Sequence, residues 1–430
     1  MEATIERVQG VDLSLRAPPS KSFTHRALVA ASLARGESRI GNPLLSDDTT
    51  ITAAALRRLG VAVTWEGKEV RVAGIGGRFP VNEETVLDLG DSGTSMRFFS
   101  ALALLAGGPV VLRGSPRMHE RPIGPLARAL GELGGEVRYL GKEGYPPLRV
   151  SGRFEGGEVV IDGGMSSQFI SALLMAAPCG EGDLALTVDP PPVSRSYLDI
   201  TADVMSAFGA VPERGGYTRF RVKAGPGYRG RAYPIEGDFS SASYFLAIAA
   251  VCGGRVMVGN LDPGSPQGDR RFPGILADMG CKIGWKNDGI LLESDGSLSG
   301  IDVDLSGSPD TVQTLCAVAA FARGPTRIRG IGHLRHKESD RIKATADSLR
   351  NLGGDVRVEG DSVIIQPGPL HGGIIDPRGD HRTAMAFAVV GFGLGGITIR
   401  DAGCVSKSFP GFWDLLRGAG LPVVSGRASP

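Results

Sequence analysis

The sequence predicts an α/β protein built from two similar domains, and three observations carry that prediction. The chain has 430 residues, more than one ordinary hydrophobic core accommodates, so two domains of roughly 200 residues each are expected. A helical pattern followed by a β-rich segment recurs six times, at a spacing of about 70 residues. A second series of six apolar helical segments alternates with the first.

The helices of the first series all end in an apolar residue followed by Gly. These ends are Leu59-Gly60, Leu133-Gly134, Phe208-Gly209, Met279-Gly280, Leu352-Gly353 and Ala419-Gly420. Glycine favours the left-handed conformation of a helix C-terminal cap. The segments that follow, such as VAVTWEG after Gly60, alternate apolar and polar residues as half-buried strands do. Each repeat is therefore predicted to run helix, strand, turn, strand.

The helices of the second series begin near residues 20, 92, 166, 240, 310 and 380. Each opens with Ser or Asp and continues into an almost wholly apolar body, which predicts a capped helix that is buried on all sides. A buried helix start presents free backbone N–H groups and the positive end of the helix dipole, which favour anions. The alternative at any one helix is capping alone.

Basic side chains lie in the first turns of several of these helices. They are Lys21, Arg26, Arg97, His381 and Arg382. A positive side chain opposes the helix dipole at this end, so each of them needs an anionic partner. The combination predicts a ligand that carries several negative charges.

The overall composition excludes a global electrostatic partner. With 47 Lys and Arg against 46 Asp and Glu, no net field draws the chain to nucleic acid or to an anionic membrane. The five scattered cysteines argue against a disulfide framework and a zinc site, and they favour a reducing, cytoplasmic compartment. We expect no signal peptide in MEATIERVQG and no membrane-spanning segment.

Basic residues are concentrated in five short stretches, which are 19–22 with Arg26, 90–94 with Arg97, 121–122, 335–341, and 380–382 with Lys407. Arg suits the paired oxygens of a carboxylate or phosphate and Lys suits a point charge, so a substrate bearing both groups is predicted. The carboxylates Asp310, Glu338 and Asp340 are interspersed, and this mixture favours proton transfer on a bound polyanion. The alternative for 335–341 alone is a solvated helix start with surface ion pairs.

The segment 391–396 matches the GxGxxG spelling of a dinucleotide-binding loop. It follows a predicted helix and precedes the strand-like residues Ile397 to Arg400, which is the reverse of the dinucleotide order. We therefore predict a turn here.

Ten segments resemble the 5-enolpyruvylshikimate-3-phosphate synthase family, in that family's order and over nearly the whole chain. They are SKSFTHRAL, LGDSGTSMR, ERPIGPL, SSQFISALL, SRSYLDIT, EGDFSSASYF, QGDRRF, HKESDRI, DHRTAMA and KSFPGFW. The resemblance implies an α/β (α+β) fold of two similar domains, each of three βαβαββ units that form an inside-out α/β barrel. It implies an N-terminal domain of residues 18–237 and a C-terminal domain of residues 1–17 plus 238–430, with the active site in the interdomain cleft.

The resemblance also implies a reaction. The family transfers the enolpyruvyl group of phosphoenolpyruvate to the 5-hydroxyl of shikimate-3-phosphate, on the shikimate pathway to chorismate and the aromatic amino acids. The chemistry is addition followed by elimination through a tetrahedral intermediate, and it implies no metal and no organic cofactor. The expected partners are these two small molecules, without nucleic acid or membrane, and we expect a cytoplasmic monomer.

Site residues follow by position within the matching segments. Those that resemble shikimate-3-phosphate contacts are Lys21, Ser22, Arg26, Ser166, Ser167, Gln168, Ser194, Tyr197, Asp310 and Lys337. Those that resemble phosphoenolpyruvate contacts are Lys21, Gly93, Arg121, Gln168, Arg341, Arg382 and Lys407, with Arg97, His381 and His333 as secondary positions.

Three residues resemble the family's catalytic set. Asp310 resembles the residue that binds the target hydroxyl and removes its proton. Glu338 resembles the residue that transfers a proton at the enolpyruvyl methylene, and Lys21 offers a positive charge to the bound anions.

Three positions depart from the common family pattern. Asp91 stands where many relatives have Asn, and Phe98 stands where many have Pro. Both bear on the loop behind the phosphoenolpyruvate site, the region that the family's inhibitor glyphosate occupies. His333 replaces an Asn that contacts the shikimate substrate, so it puts one substrate contact in question.

Two alternative functions are open at this point. The sister transferase that acts on UDP-N-acetylglucosamine shares the fold and the donor, but it commonly carries a reactive Cys in a loop corresponding to residues 113–121, where this chain has none. The other alternative is a catalytically silent protein that binds phosphorylated metabolites. The presence of Asp310 and Glu338 together with every basic residue argues against it.

Overall fold

The computed structural model describes residues 1–426, and the chain divides into two compact units. The N-terminal unit is Pro19–Ile235, and the C-terminal unit combines Met1–Pro18 with the chain from Glu236 onward. The sequence prediction placed the two boundaries at 17/18 and 237/238, one and two residues away. That the two units are an N-terminal and a C-terminal enolpyruvyl transferase domain stays a prediction.

Twelve α-helices lie within residues 1–426. They are α1 Lys21–Leu33, α2 Asp47–Arg58, α3 Gly93–Leu102, α4 Gly124–Glu132, α5 Ser167–Ala176, α6 Ser196–Ala207, α7 Phe239–Cys252, α8 Phe272–Asp278, α9 Val312–Ala319, α10 Arg341–Asn351, α11 His381–Leu394 and α12 Phe412–Gly418. Short 3-10 helices add Ala103–Leu105, Met118–Glu120, Ala177–Cys179, Gly268–Arg271, Pro309–Thr311, Gly332–His336 and Ala402–Lys407.

The same part of the chain contains 25 strands. Those up to residue 235 are β1 Glu2–Ile5, β2 Val11–Arg16, β3 Ala34–Gly41, β4 Ala62–Glu66, β5 Glu69–Ile75, β6 Thr85–Asp88, β7 Val110–Arg113, β8 Gly135–Tyr139, β9 Leu148–Gly152, β10 Gly157–Ile161, β11 Leu184–Val188, β12 Glu213–Gly215, β13 Arg219–Val222, β14 Tyr228–Arg229 and β15 Ala232–Pro234. The remainder are β16 Gly254–Gly259, β17 Lys282–Lys286, β18 Gly289–Ser294, β19 Asp302–Asp304, β20 Thr326–Arg329, β21 Asp355–Glu359, β22 Ser362–Gln366, β23 Gly373–Ile375, β24 Ile397–Ile399 and β25 Val423–Gly426.

Six small sheets share one topology, three in each unit. An outer strand pairs parallel with a second strand, which pairs antiparallel with one arm of a β-hairpin, as in the order β6-β7-β9-β8. In the N-terminal unit the others are β14-β3-β5-β4 and β10-β11-β13-β12. In the C-terminal unit they are β17-β18-β16-β2, β19-β20-β22-β21 and β23-β24-β1-β25. The predicted repeat and the mixed α/β fold class are confirmed.

The first two strands of the chain complete sheets of the C-terminal unit. Strand β1 lies between β24 and β25 and pairs antiparallel with both, with Ala3 opposite Ile399. Strand β2 pairs parallel with β16, with Leu13 opposite Val256. Strands β1 and β25 are far apart in sequence, and together they take the place that a β-hairpin has in the other five sheets.

The six glycines of the first helix series follow α2, α4, α6, α8, α10 and α12, as predicted. All six have positive φ, from 82° at Gly420 to 114° at Gly280. A side chain at these positions would strain the backbone, which explains why the sequence uses Gly to end each helix.

The apolar helices of the second series form the two hydrophobic cores: α1, α3 and α5 in the N-terminal unit and α7, α9 and α11 in the C-terminal unit. Three of them are capped by the predicted side chain, namely Ser92, Ser166 and Asp380. The helix predicted to open at Ser240 begins at Phe239 instead and is capped by Asp238. The prediction was also wrong for the other two. Ser20 makes no side-chain cap, and α9 begins only at Val312, because the residues before it form a 3-10 turn that starts with Pro309.

The predicted turn over 391–396 was also wrong in its first part. Gly391 and Gly393 belong to the last turns of α11, and only Gly395 and Gly396 form the turn before β24. A Cβ at Gly391 would lie 2.8 Å from Ile5 Cβ, and one at Gly393 would lie 2.4 Å from Val251 Cγ1. These glycines therefore allow close packing within the core. None of the helices in residues 1–426 is both long enough and apolar enough to cross a membrane.

Candidate active site

The start of α1 carries Lys21, Ser22 and Arg26 in the N-terminal unit. Lys21 Nζ donates to Asp48 Oδ2 of α2 at 2.9 Å, and Asp48 is buried. Arg26 is buried as well, and its guanidinium donates to Thr201 Oγ1 at 2.8 Å and to two backbone carbonyls. Burial lowers the pKa of Arg26 to about 10, so the side chain stays cationic at neutral pH.

The start of α3 brings Gly93 against Arg121. A Cβ built on Gly93 would lie 2.5 Å from Arg121 Nη2, so glycine permits this close approach. Arg97, one turn along α3, donates to the carbonyls of Gly93 and Pro122 at 3.4 and 3.0 Å. Both arginines are buried, with 3% and 4% of their surface exposed. The guanidinium groups of Arg97 and Arg121 therefore both lie beside the first turn of α3.

The start of α5 joins this group through Gln168. Its side-chain Nε2 donates to Thr94 Oγ1 of α3 at 3.1 Å. Ser166 accepts a hydrogen bond from Gln168 N at 3.3 Å, and Ser167 is buried in the first turn. Hydroxyl, amide and guanidinium groups of three helix starts are thus concentrated in one unit.

Ser194 and Tyr197 precede and open α6. Ser194 is buried and has a φ of 53°, an uncommon conformation for a residue with a side chain. Its carbonyl accepts from Tyr197 N at 3.1 Å, and the Arg26 guanidinium lies 5.9 Å from the centre of the Tyr197 ring. The turn therefore places Ser194 next to Tyr197, whose ring lies near the Arg26 guanidinium.

Arg341, the first residue of α10, is the centre of the polar cluster in the C-terminal unit. Its Nε donates to Asp380 at 2.9 Å, its Nη1 to Asp310 at 2.9 Å and its Nη2 to Glu338 at 2.7 Å. Burial lowers the pKa of Arg341, but the three carboxylates outweigh burial and the net shift is upward. The guanidinium is therefore a permanent cation that holds three carboxylates in fixed positions.

Arg382 is the second guanidinium group that donates to Asp310. Its Nη2 donates to Asp310 Oδ2 at 2.7 Å, while Arg341 takes Oδ1, so each carboxylate oxygen of Asp310 has its own guanidinium. Asp380 caps α11 by accepting from Arg382 N at 3.0 Å and also accepts from Ser339. Asp310 and Glu338, predicted as the proton-transfer pair, are thus brought together on one Arg341.

Four further predicted residues lie in the C-terminal unit. His333 is buried in the 3-10 helix before Lys337, which is half-buried. Burial, with the positive charge of Lys337, lowers the pKa of His333 to about 3, so its imidazole is neutral. His381 is fully buried in the first turn of α11, and Lys407 is buried at the end of the 3-10 helix Ala402–Lys407.

Asp91 and Phe98, two of the departures from the family pattern, have clear surroundings. Asp91 accepts a hydrogen bond from Ser115 Oγ, which ties the loop before α3 to the loop that leads to Arg121. Phe98 is buried, and its ring lies 5.3 Å from the Arg26 guanidinium. Phe98 thus lies beside a residue predicted to contact shikimate-3-phosphate, whereas the sequence connected it only with the loop behind the phosphoenolpyruvate site.

Several acidic partners of the basic residues were not predicted from the sequence. Asp48 was given no role, and Asp380 was predicted only to open a helix beside the bases His381 and Arg382. Asp269 lies in the quoted segment QGDRRF but was not singled out. Each of these carboxyls is almost completely buried, at 5% exposure or less. A buried Asp opening a helix, as in DDTT and DHRT, is the sequence signal that could have indicated the first two.

The chain is similar to known proteins over nearly its whole length. The family model of EPSP synthase (3-phosphoshikimate 1-carboxyvinyltransferase) matches residues 4–416. The chain is 56% identical over 421 residues to the 3-phosphoshikimate 1-carboxyvinyltransferase of Methanoculleus marisnigri, covering 98% of this chain and 100% of that one. It is also 56% identical over 416 residues to the protein of the same name from Methanoregula boonei, covering 97% and 99%.

A solved structure of EPSP synthase from Acinetobacter baumannii superimposes with a TM-score of 0.82 at 27% identity, covering 98% of this chain and 99% of that one. The family match and the relatives extend across both units. The chain therefore belongs to the EPSP synthase (3-phosphoshikimate 1-carboxyvinyltransferase) family.

Proposed function

We propose that this chain transfers the enolpyruvyl group of phosphoenolpyruvate to the 5-hydroxyl of shikimate-3-phosphate, giving 5-enolpyruvylshikimate-3-phosphate and phosphate. The reaction serves the biosynthesis of chorismate and the aromatic amino acids. The observation that carries the proposal is the placement of Asp310 and Glu338 on the single buried guanidinium of Arg341. Two carboxyl groups in fixed positions, one acting as base and one as acid in the addition step, provide the two proton transfers that this reaction needs.

In the addition step, the 5-hydroxyl oxygen of shikimate-3-phosphate bonds to C2 of phosphoenolpyruvate. Asp310 accepts the hydroxyl proton, and Glu338, which enters this step as the carboxylic acid, donates its proton to C3 of the enolpyruvyl group. The product is a tetrahedral ketal that still carries the phosphate. Loss of phosphate and of a C3 proton, which returns to Glu338, restores the double bond. The proton held by Asp310 leaves with the released phosphate, so both carboxyl groups return to their starting forms.

The basic residues bind the anionic parts of both substrates in this proposal. The residues that bind phosphoenolpyruvate are Lys21, Gly93, Arg121, Gln168, Arg341, Arg382 and Lys407. Those that contact shikimate-3-phosphate are Lys21, Ser22, Arg26, Ser166, Ser167, Gln168, Ser194, Tyr197, Asp310 and Lys337. This proposal is supported by the burial of Arg121 and Arg341, whose surfaces are 4% and 2% exposed. Because these side chains are already enclosed, they can bind an anion without first changing position.

We also place the reaction in the cytoplasm and assign it to a monomer. The compartment follows from the scattered, odd-numbered cysteines, of which Cys281 and Cys316 are buried in the core. For the monomer, the support is that the exposed large apolar residues of 1–426 come from separate elements of the chain rather than from one segment.

Phosphate release from phosphoenolpyruvate tests the function directly. Shikimate-3-phosphate should support release with formation of one enolpyruvyl ether per phosphate, and UDP-N-acetylglucosamine should not. Release with UDP-N-acetylglucosamine alone would assign the chain to the sister transferase. Binding of both ligands without any phosphate release would assign it to the silent binding proteins.

A further inference from the structure

Asp269 is a buried carboxyl that the proposed mechanism does not use. It lies in the 3-10 helix Gly268–Arg271 and is 5% exposed. Its Oδ2 accepts a hydrogen bond from Ser240 Oγ in the first turn of α7. Its Oδ1 is buried and has no hydrogen-bond partner among residues 1–426. A buried carboxylate with this little support is costly, so the neutral acid is favoured.

The segment that carries Asp269 is fixed to the segment that carries Asp310. Ser308 Oγ donates to the carbonyl of Gly268 at 2.8 Å, one residue before Asp269. Ser308 in turn precedes the 3-10 helix Pro309–Thr311, which contains Asp310. The two carboxyl groups therefore belong to one connected cluster of the C-terminal unit.

The charged groups that act on Asp269 come from three neighbouring elements. They are Asp238 at the start of α7, Asp310, and Arg382 of α11. The bases of its own turn, Arg270 and Arg271, are exposed, as is Asp278 of α8. Two of the three nearby charges are thus negative.

These surroundings decide which carboxyl carries a proton. Burial and then the charge of Asp310 raise the pKa of Asp269 to about 7, and the weaker effects of Ser240 and Arg382 oppose that rise. Asp310 receives one guanidinium nitrogen on each oxygen, at 2.9 and 2.7 Å. When the cluster holds one proton, it therefore resides on Asp269 and leaves Asp310 ionised.

We propose that Asp269 is a positioning residue of the active site, which in its protonated form leaves Asp310 as the carboxylate to which Arg341 and Arg382 both donate. The inference rests on the proposed function and deepens it. Ionisation of Asp269 adds a second negative charge beside Asp310. That charge competes for Arg382 and repels the anionic phosphoenolpyruvate, so the free enzyme binds its substrate productively only while Asp269 is neutral.

The pH dependence of kcat/KM for phosphoenolpyruvate tests this, because that parameter reports ionisations of the free enzyme. The wild type should lose kcat/KM above an apparent pKa of about 7, approaching tenfold per pH unit. Asp269→Asn reproduces the neutral form, so the decline should disappear while kcat/KM near pH 6 stays within about threefold of the wild type. Asp278→Asn, an exposed change in the same unit, should leave the wild-type profile unaltered.

Ser240→Ala provides a second test that keeps the carboxyl. Loss of the hydroxyl donor removes an interaction that lowers the pKa of Asp269, so the decline should move upward by about one pH unit. Infrared difference spectra of the substrate-free protein, between about pH 6 and pH 8.5, should show the loss of one carboxylic acid band in the wild type. Asp269→Asn should lack that band.

The outcomes are distinct. An Asp269→Asn profile that keeps the wild-type shape at uniformly lower activity would give Asp269 a structural role only and overturn the proposal. A wild-type spectrum without the acid band would overturn it as well. A protein that shows the acid band but transfers no enolpyruvyl group would leave the protonation established and refute the proposed function, and with it the positioning role.

Discussion

The two units support their basic residues in different ways. In the N-terminal unit, Arg26 and Arg97 donate to backbone carbonyls and hydroxyls and lie near aromatic rings. In the C-terminal unit, Arg341 alone holds three carboxylates, and Arg382 shares one of them. Lys21 is the exception in the N-terminal unit, because it donates to the buried carboxylate of Asp48. The helix-start arginines therefore have neutral support in one unit and acidic support in the other.

This difference separates two chemical tasks. A cation held by neutral groups keeps its charge available for a phosphate or carboxylate of a ligand. A cation held by carboxylates also fixes those carboxylates where they can exchange protons with a substrate. We therefore propose that proton transfer depends mainly on the C-terminal unit, while basic residues of both units bind the anionic substrates.

The largest effect is expected at Glu338, which belongs to the acidic cluster. Glu338→Gln keeps the shape of the side chain and its position beside Arg341 Nη2, now 2.7 Å from the carboxylate. Loss of its proton transfer should lower kcat by about 10² to 10⁴-fold and leave shikimate-3-phosphate binding nearly unchanged. Steady-state kinetics and ligand titration measure both quantities.

Glu359→Gln is the matched control for that variant, because Glu359 is an exposed carboxylate on β21 that pairs loosely with Arg327 at 3.8 Å. It should leave kcat unchanged. If Glu338→Gln also stays within about threefold of the wild type, far short of general acid–base catalysis, Glu338 has no part in the chemistry.

The next effect is expected at Lys21 in the N-terminal unit. Lys21→Met removes a charge used in both ground and transition states, so binding and turnover should both suffer. Charge-assisted hydrogen bonds contribute about 1.5 to 3 kcal/mol, which predicts a loss in kcat/KM of roughly 10- to 150-fold. Lys343→Met, which removes an exposed lysine paired with Asp347 at 2.6 Å, should change kcat/KM by less than about twofold.

A double variant separates the ligand role of Lys21 from its role in holding Asp48. Asp48→Asn removes the buried carboxylate that Lys21→Met would leave uncompensated, so the combination should restore thermal stability. It should not restore kcat/KM. Recovery of kcat/KM in the double variant would mean that Lys21 serves only to neutralise Asp48.

A smaller and more selective effect is expected at Gly93. A methyl group there would overlap the Arg121 guanidinium, at 2.5 Å from Nη2 and 2.7 Å from Nη1, so Arg121 must move. Overpacking costs about 1 to 3 kcal/mol, and inhibition by glyphosate should weaken by roughly 5- to 150-fold while kcat falls less. Inhibition titrations measure this, with Gly131→Ala as a control in open space on α4. Equal inhibition of wild type and Gly93→Ala would refute the steric explanation.

The sequence predicted the architecture well because each repeat has its own local signals. The glycine ends of the first helix series and the apolar bodies of the second depend on residues within a few positions of one another. The failure at 391–396 has a tertiary cause. Gly391 and Gly393 resemble a turn by composition, yet they lie in α11, and glycine occurs there because contacts with Ile5 and Val251, which are distant in sequence, leave no room for a Cβ.

The ion-pair partners of the site could not be predicted in the same way. Lys21 and Asp48 are 27 positions apart, and Arg341 and Asp380 are 39 apart. These distances in sequence are closed only by the packing of separate helices. The identities of the basic residues were accessible from motifs, whereas their acidic support depends on tertiary structure. The contrast between the two units is therefore a result of the structure alone.

The smallest effect on activity is expected at His333. This residue tests the C-terminal unit, which contains the carboxylate cluster, through the pH dependence of its free energy of unfolding. Its pKa is lowered to about 3, first by burial and then by Lys337, from an ordinary value of 6.5. Neutral imidazole and carboxamide both offer one donor and one acceptor, so His333→Asn should keep kcat within about threefold.

Stability should nevertheless depend on this residue as the pH falls. Below about pH 6.5 the unfolded chain binds a proton at His333 that the folded protein does not bind until about pH 3. The favourable contribution of the neutral form is therefore complete above about pH 6.5 and declines between these two values, by up to about 1.4 kcal/mol per pH unit.

Urea unfolding at pH 7, 6 and 5 should show the free energy of unfolding of the wild type falling relative to His333→Asn by roughly 1 kcal/mol from pH 6 to pH 5. His371→Asn, at an exposed position of the same unit, should track the wild type. A difference between wild type and His333→Asn that does not change with pH would show that His333 binds its proton equally in both states, and that Lys337 and burial do not hold it neutral.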